Sequence, residues 1–225
     1  MEKQTPILEI QNLTVAYQGK VPILQGLSLS LETGTCLAIM GQNGAGKSSL
    51  FKAIMGILPK QAGTVFLFGK NVTSKRDFEL VRLGISYMVQ GGLVSPRLTV
   101  HEHLEVATMY QPRTRQQQSI EKAYDALPRL AALQKKTAGN CSGGERQLLS
   151  LGVLVAQASP LWLLDEPMAG LDAEKVAEAL AFLQNWQKNE RQSLIIIEHQ
   201  RANVLALTNK IGYLNDKCLN IISHV

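Results

Sequence analysis

One octapeptide limits this chain more than any other stretch: Gly41 to Ser48 read GQNGAGKS and follow directly on the apolar run Leu37-Ala38-Ile39-Met40. The pattern G-x-x-x-x-G-K-[ST], entered from a buried strand and leading into a helix, is the setting that a phosphate-binding loop requires. Gly41, Gly44 and Gly46 let the backbone curl so that the loop's N–H groups, those of Gln42, Asn43 and Ala45 among them, face inward. The helix expected from Ser48 to Leu58, with Ser49 in its first turn and Pro59 as its stop, points its positive end at the same cavity. Lys47 can then neutralise the outer phosphates, and Ser48 can offer its hydroxyl to Mg²⁺. A plain glycine turn before a core helix is the competing explanation; the strand before the loop and the helix after it argue against that.

Composition enters as a limit on what surrounds this loop. The chain has 225 residues, 45% of them hydrophobic, which is enough for a single α/β domain with an inserted lobe. No apolar stretch approaches the roughly 18 residues that cross a bilayer. The start, MEKQTPILEI, has early charge and no apolar core, so no secretory leader is expected. Cys36, Cys141 and Cys218 are odd in number and lack metal spacing, as in the reduced thiols of a cytosolic chain. The net charge of +5 is modest and its Lys and Arg are scattered, so no nucleic-acid partner is expected.

Along the chain, Ile7 to Gln18, Ile23 to Leu31 and Thr64 to Phe68 alternate apolar with polar residues between glycine punctuation, which predicts strands covered on one face. Leu161 to Leu164 and Leu194 to Ile197 are apolar throughout, as strands buried on both faces of a parallel sheet should be. Each ends on acidic residues or an acid followed by histidine, which places Asp165, Glu166 and His199 where open α/β sheets bind ligands. From Gly91 to Ala158 the signals turn helical. Thr99 to Glu102 forms a capping box before a helix running to about Tyr110. Pro112 then predicts an interruption, Gln116-Gln117-Gln118 an exposed connection, and Ser119 to Leu133 a second helix. Lys210 to Ile222 reads as a hairpin turning at Asn215-Asp216.

A triphosphate held at Lys47 needs a metal in place and a water made nucleophilic before it can be cleaved. Asp165, at a strand end, is the candidate for positioning Mg²⁺, and Glu166 beside it is the candidate general base. Ser142-Gly143-Gly144-Glu145 is a second decisive feature. Ser142 can cap a helix with Glu145 reaching back, yet two glycines cost about 1 kcal/mol each in a helix. Bare N–H groups at a helix start form an anion site, so the chain carries two phosphate-facing surfaces. His101 and Glu105, four apart on a helix, read as a solvated face before they read as metal ligands.

Taken together, the chain resembles an ATP-binding cassette subunit of the ABC transporter superfamily over nearly its whole length. The matching positions run in the family's order: Tyr17, Gly41 to Ser48, Gln90, SGGE at Ser142 to Glu145, LWLLDEP at Leu161 to Pro167, AGLD ending at Asp172, and His199. The resemblance implies a P-loop NTPase core with a parallel central sheet, an N-terminal antiparallel β subdomain and an inserted α-helical subdomain. It divides the single domain into a core of residues 1–90 and 159–225 and a helical lobe of residues 91–158 that bears the signature motif. It also implies that Tyr17 stacks on the adenine of ATP. Gln90 would touch Mg²⁺ and the attacking water, and His199 would hold the γ-phosphate. Taken singly, Tyr17 reads equally well as a strand aromatic, Gln90 as a strand-end amide and His199 as a structural histidine.

In such proteins two cassettes pair head to tail, so Ser142, Gly143 and Gly144 of one would face the phosphate held by Lys47 of the other, with Asp172 bridging the interface. The partners implied are a second cassette, identical or not, transmembrane permease subunits met by GGLVSPRL after Gln90, and a periplasmic binding protein. The location implied is the inner face of the cell membrane, through the permease. Cys141 stands where leucine is usual and Val153 where many members carry arginine. The helical stretch and PLWLLDEPMAGLD look most like cassettes of branched-chain or hydrophobic amino-acid importers or of urea importers; lipopolysaccharide-export cassettes share some of these features. A non-transport cassette ATPase and a small-molecule kinase are the rivals from other classes.

Overall fold

The computed structural model describes residues 5–18, 20–92 and 94–223. The first four residues, part of the stretch in which no secretory leader is expected, and Leu93 of the GGLVSPRL segment lie outside the described residues. Strands β1 (Leu8–Val15), β2 (Leu24–Leu31) and β3 (Cys36–Met40) open the chain, followed by α1 (Lys47–Ile54), β4 (Lys60–Leu67), β5 (Lys70–Asn71), α2 (Asp77–Leu83) and β6 (Ile85–Met88). Helices α3 (Val100–Thr108), α4 (Arg113–Ala126), α5 (Pro128–Ala131) and α6 (Gly143–Gln157) come next. The chain closes with β7 (Leu161–Asp165), α7 (Ala173–Glu190), β8 (Ser193–Ile197), α8 (Arg201–Leu207), β9 (Lys210–Asn215) and β10 (Cys218–Ser223). Among the described residues no helix is long and apolar enough to cross a membrane.

The strands form two sheets. One is antiparallel, in the order β2-β1-β4-β5, and the other has six strands in the order β10-β9-β3-β8-β7-β6. Strands β9, β3, β8, β7 and β6 run parallel, and β10 adds an antiparallel edge. Asp216 and Lys217 make the β9–β10 turn with φ of 48° and 68°, the left-handed pair that a two-residue hairpin favours. The turn is one residue later than Asn215-Asp216.

The all-apolar strands lie where both faces are covered. Every residue of β7 and β8 is buried. Successive side chains of a strand point to opposite faces, and the central strands accordingly feed two cores. Leu37, Ile39, Leu161, Leu163, Ile195 and Ile197 join α1 and the antiparallel sheet, while Ala38, Trp162, Leu164, Leu194 and Ile196 join helices α3 to α8.

Four helical expectations need correction. Helix α1 ends at Ile54, short of Leu58, because Gly56 turns left-handed at φ 68° and lets the N–H groups of Ile57 and Leu58 bond back to the carbonyl of Lys52. Pro112 begins α4 instead of interrupting a helix, since its missing N–H would have no intrahelical partner at that position. The glutamines 116–118 lie inside α4, anchored by Gln116 Nε2 donating to the carbonyl of Gln111 at 3.1 Å. The helix expected over Ser119 to Leu133 breaks at Leu127, whose φ −134° and ψ 74° are imposed by the following Pro128.

Candidate functional site

The loop between β3 and α1 supplies the floor of a cavity of about 610 Å³ lined by Tyr17, Ile23, Asn43, Gly44, Gly46, Lys47, Ser48, Ser49, Gln90, Glu166 and His199. Gly46 is the residue before α1 and sits at φ 102°, a conformation that side chains resist. Lys47 folds back over the loop, donating from Nζ to the carbonyls of Gly41 at 2.8 Å and Gln42 at 2.9 Å. Burial holds its ammonium below the usual lysine range, against the opposing pull of Glu166 and Asp165. Ala45 instead packs on the first hydrophobic core.

Asp165 ends β7 at the carboxyl edge of the sheet, only 2% exposed. Ser48 Oγ donates to its Oδ1 at 3.2 Å and Tyr87 donates its phenol hydrogen to Oδ2 at 3.2 Å. Burial raises the Asp165 carboxyl above the usual aspartate range, the two hydrogen bonds lower it, and Glu166 adds a repulsion that raises it. Burial also raises the Tyr87 phenol, with the Asp165 charge adding to it.

Glu166 follows at φ 50°, in the left-handed region that costs a non-glycine residue roughly 1–2 kcal/mol. Its backbone N–H donates to the carbonyl of Ile197 at 3.0 Å, which ties this turn to the end of β8. Its side chain is held at both oxygens: Gln90 Nε2 donates to Oε2 at 2.7 Å, and His199 Nε2 meets Oε1 at 2.8 Å. The His199 backbone N–H donates to Glu198 Oε2 at 3.0 Å, which fixes the turn after β8. Tyr17, 42% exposed, stands at the rim of the same cavity.

The fold thus brings Tyr17, the loop, Gln90, Asp165, Glu166 and His199 together. It does not bring Ser142, Gly143, Gly144 or Asp172 to that cavity. Ser142 caps α6 in a reciprocal box with Glu145, its N–H donating to Oε2 at 2.6 Å and its Oγ accepting from the Glu145 N–H at 3.2 Å. Lys136 pairs with Glu145 at 2.8 Å and holds that carboxyl below the usual glutamate range. Ser142 and Gly144 border a separate groove of about 630 Å³ between α4 to α6 and α7. Asp172 caps α7, accepting from the Lys175 N–H at 3.0 Å and pairing with the Lys175 ammonium.

Cys141 is buried and directs its thiol to the carbonyl of Thr137 at 3.6 Å, and Val153 packs on the second core. His101 meets the Tyr124 hydroxyl at 2.9 Å and lies 3.8 Å from Glu105. Tyr87 and Ile23 are site neighbours that the sequence patterns do not single out. Tyr87 is separable from an ordinary strand aromatic only once β6 is set in register beside β7, with Tyr87 opposite Leu163.

The family profile described as ABC transporter matches residues 24–169. A probable branched-chain amino acid transport ATP-binding protein, LivF of Archaeoglobus fulgidus, is 35% identical over 174 residues, covering 77% of this chain and 73% of its own. The manganese transport system ATP-binding protein MntB of Listeria innocua is 32% identical over 220 residues, covering 93% and 87%. The crystal structure of an ATP-binding cassette of an ABC transporter in its ADP conformation superposes with a TM-score of 0.83 at 25% identity, covering 97% of this chain and 91% of that one.

Proposed function

The chain belongs to the ABC transporter family and is one of its ATP-hydrolysing cassettes, and from that premise we propose that two cassettes close head to tail on ATP to drive import of branched-chain or other hydrophobic amino acids. The observation that carries the pairing is the separation of two anion sites. Tyr17, Asn43, Gly44, Gly46, Lys47, Ser48, Ser49, Gln90, Glu166 and His199 line one cavity and Asp165 bonds to Ser48 beneath it, while the Ser142 end of α6 borders a different surface. A cavity clamped by a serine-led helix start therefore takes that helix from a partner.

In the closed pair, Lys47 leaves the carbonyls of Gly41 and Gln42 for the outer phosphates of ATP, and the loop N–H groups line the rest of the anion. Tyr17 stacks on the adenine. Ser48, Asp165 and Gln90 offer a hydroxyl, a carboxylate and an amide oxygen, the hard donor set that suits Mg²⁺. Gln90 gives its nitrogen to Glu166, which leaves its oxygen for that purpose. When bound, Mg²⁺ neutralises charge that develops on the phosphate oxygens. Glu166 takes the proton of the attacking water, and His199, which aims the carboxylate in the open form, holds the γ-phosphate. Asp172 bridges the interface. Loss of the γ-phosphate removes the charge that joins the two halves, and they part.

The chain sits at the inner face of the membrane through permease subunits that meet the segment after Gln90, with a periplasmic binding protein delivering cargo. The division into a core (1–90 and 159–225) and a helical lobe (91–158) follows from the same assignment. The LivF relative supports amino acids as cargo. The MntB relative, almost as similar, carries a different cargo in its name.

Glu166→Gln tests the mechanism: it should release no phosphate above background yet form a dimer with ATP, read by light scattering. Undiminished hydrolysis would refute the base role, and a protein that stays monomeric with ATP would refute the pairing. Reconstituted with its permease in liposomes, the chain should drive ATP-dependent uptake of labelled leucine and leave Mn²⁺ outside; the reverse would overturn the cargo assignment.

A further inference from the structure

Asp165 is braced from two sides by groups of different kinds. Ser48, on Oδ1, lines the cavity, whereas Tyr87, on Oδ2, does not, so the phenol stands behind the carboxylate as seen from the cavity. Tyr87 is itself fixed. Its ring stands edge-on to Phe51, with centroids 5.8 Å apart and an 83° angle between planes, and Phe51 is fully buried three residues beyond Ser48 on α1. Helix α1 thus carries both the hydroxyl that meets Asp165 and the aromatic that sets Tyr87, so the three groups share one frame.

From this geometry we infer that Tyr87 is a positioning residue for the metal site: its hydroxyl occupies Asp165 Oδ2 and turns Oδ1 toward Ser48 and the cation. The inference rests on the Mg²⁺ assignment proposed above. Without the phenol oxygen, the carboxylate can turn about its last bond, and Oδ2 is left buried with no donor. Groups one step removed from a metal orient its ligands, and their loss typically weakens metal binding about 10–100-fold.

The test uses the full chain carrying Glu166→Gln, with Mn²⁺ as the probe metal. Tyr87→Phe removes a single oxygen and keeps the ring that meets Phe51. Titration of Mn²⁺ with protein and ATP, followed by the electron paramagnetic resonance of free Mn²⁺, should show about tenfold weaker metal binding. Metal-free ATP affinity should stay within about twofold, since the hydroxyl touches none of the phosphate-facing groups. In the hydrolysing background the KM for Mg²⁺ should rise by a larger factor than kcat falls. Unchanged Mn²⁺ affinity overturns the inference, and so does an equal loss of metal-free ATP affinity, which would mark a general loosening of the site. Asp165→Asn separates the two levels. If it leaves Mn²⁺ binding untouched, the metal assignment and the inference fall together; if it weakens Mn²⁺ binding while Tyr87→Phe does not, only the role of Tyr87 falls.

Discussion

Asp165 and Glu166 are adjacent in the chain and opposite in circumstance. Asp165 completes a buried strand, and Glu166 turns left-handed toward the cavity. The sign of the Asp165 contribution to stability follows from its raised carboxyl. The folded chain keeps that proton at pH values where the unfolded chain has lost it. The resulting stabilisation is complete below the ordinary aspartate range and disappears as pH rises through the raised value, so at neutral pH the ionised group strains the fold. Asp165→Asn should therefore raise the melting temperature of the nucleotide-free protein by roughly 2–4 °C at pH 7.5, the shift that about 1 kcal/mol produces in a chain of this size. The gain should shrink toward pH 4 while ATPase activity is lost. A lower melting point at pH 7.5 would show that the charge is satisfied in the resting fold. The loop, Asp165 and Glu166 were legible in the sequence because their chemistry demands contiguous residues. Tyr87 was not, because its partner lies 78 residues away and only strand register joins them.

At the scale of elements, α3 and α6 begin alike. Thr99 and Glu102 form the same reciprocal box as Ser142 and Glu145, with the Thr99 N–H on Glu102 Oε2 at 2.7 Å. Thr99→Ala and Ser142→Ala should each cost about 1 kcal/mol and lower the melting temperature by roughly 2–4 °C. Only Ser142→Ala should abolish ATP-dependent dimerisation in the Glu166→Gln background. Equal dimerisation by the two variants would leave Ser142 as a cap and nothing more. Both boxes were readable in advance because a cap is decided within four residues. The run from Pro112 to Leu133 departs from the expectation because both prolines sit at helix starts: Pro112 precedes α4, and Pro128 opens α5 while forcing Leu127 out of α4. Helices α7 and α8 are not among the sequence expectations, although Val176, Leu180, Leu183 and Trp186 of α7 recur at helical spacing against the second core. Of their residues, Ala179 and Leu183 in α7 and Asn203, Val204 and Leu207 in α8 are buried.

The described residues form two cores on the central sheet, with the Lys47 cavity at its carboxyl edge and the Ser142 turn on the helical side. Across the groove between α4 to α6 and α7, Arg129–Glu178 and Lys122–Glu190 are exposed pairs, which are weak and screened by salt. If the chain pairs with itself, each composite site draws Lys47 from one copy and Ser142 from the other. Lys47→Ala and Ser142→Ala proteins, each inactive alone, should then recover hydrolysis when mixed, because a mixed pair holds one site with neither substitution. No recovery under conditions where the proteins exchange partners would point to a different cassette as the natural mate. The Gln90 amide that holds Glu166 stands at the head of the segment leading to α3, so on the proposed assignment a neighbour pressing on that segment would re-aim the base without touching the fuel. If a permease seats there, the motor's throttle is in the hands of whatever it drives, and an unloaded engine should idle slowly.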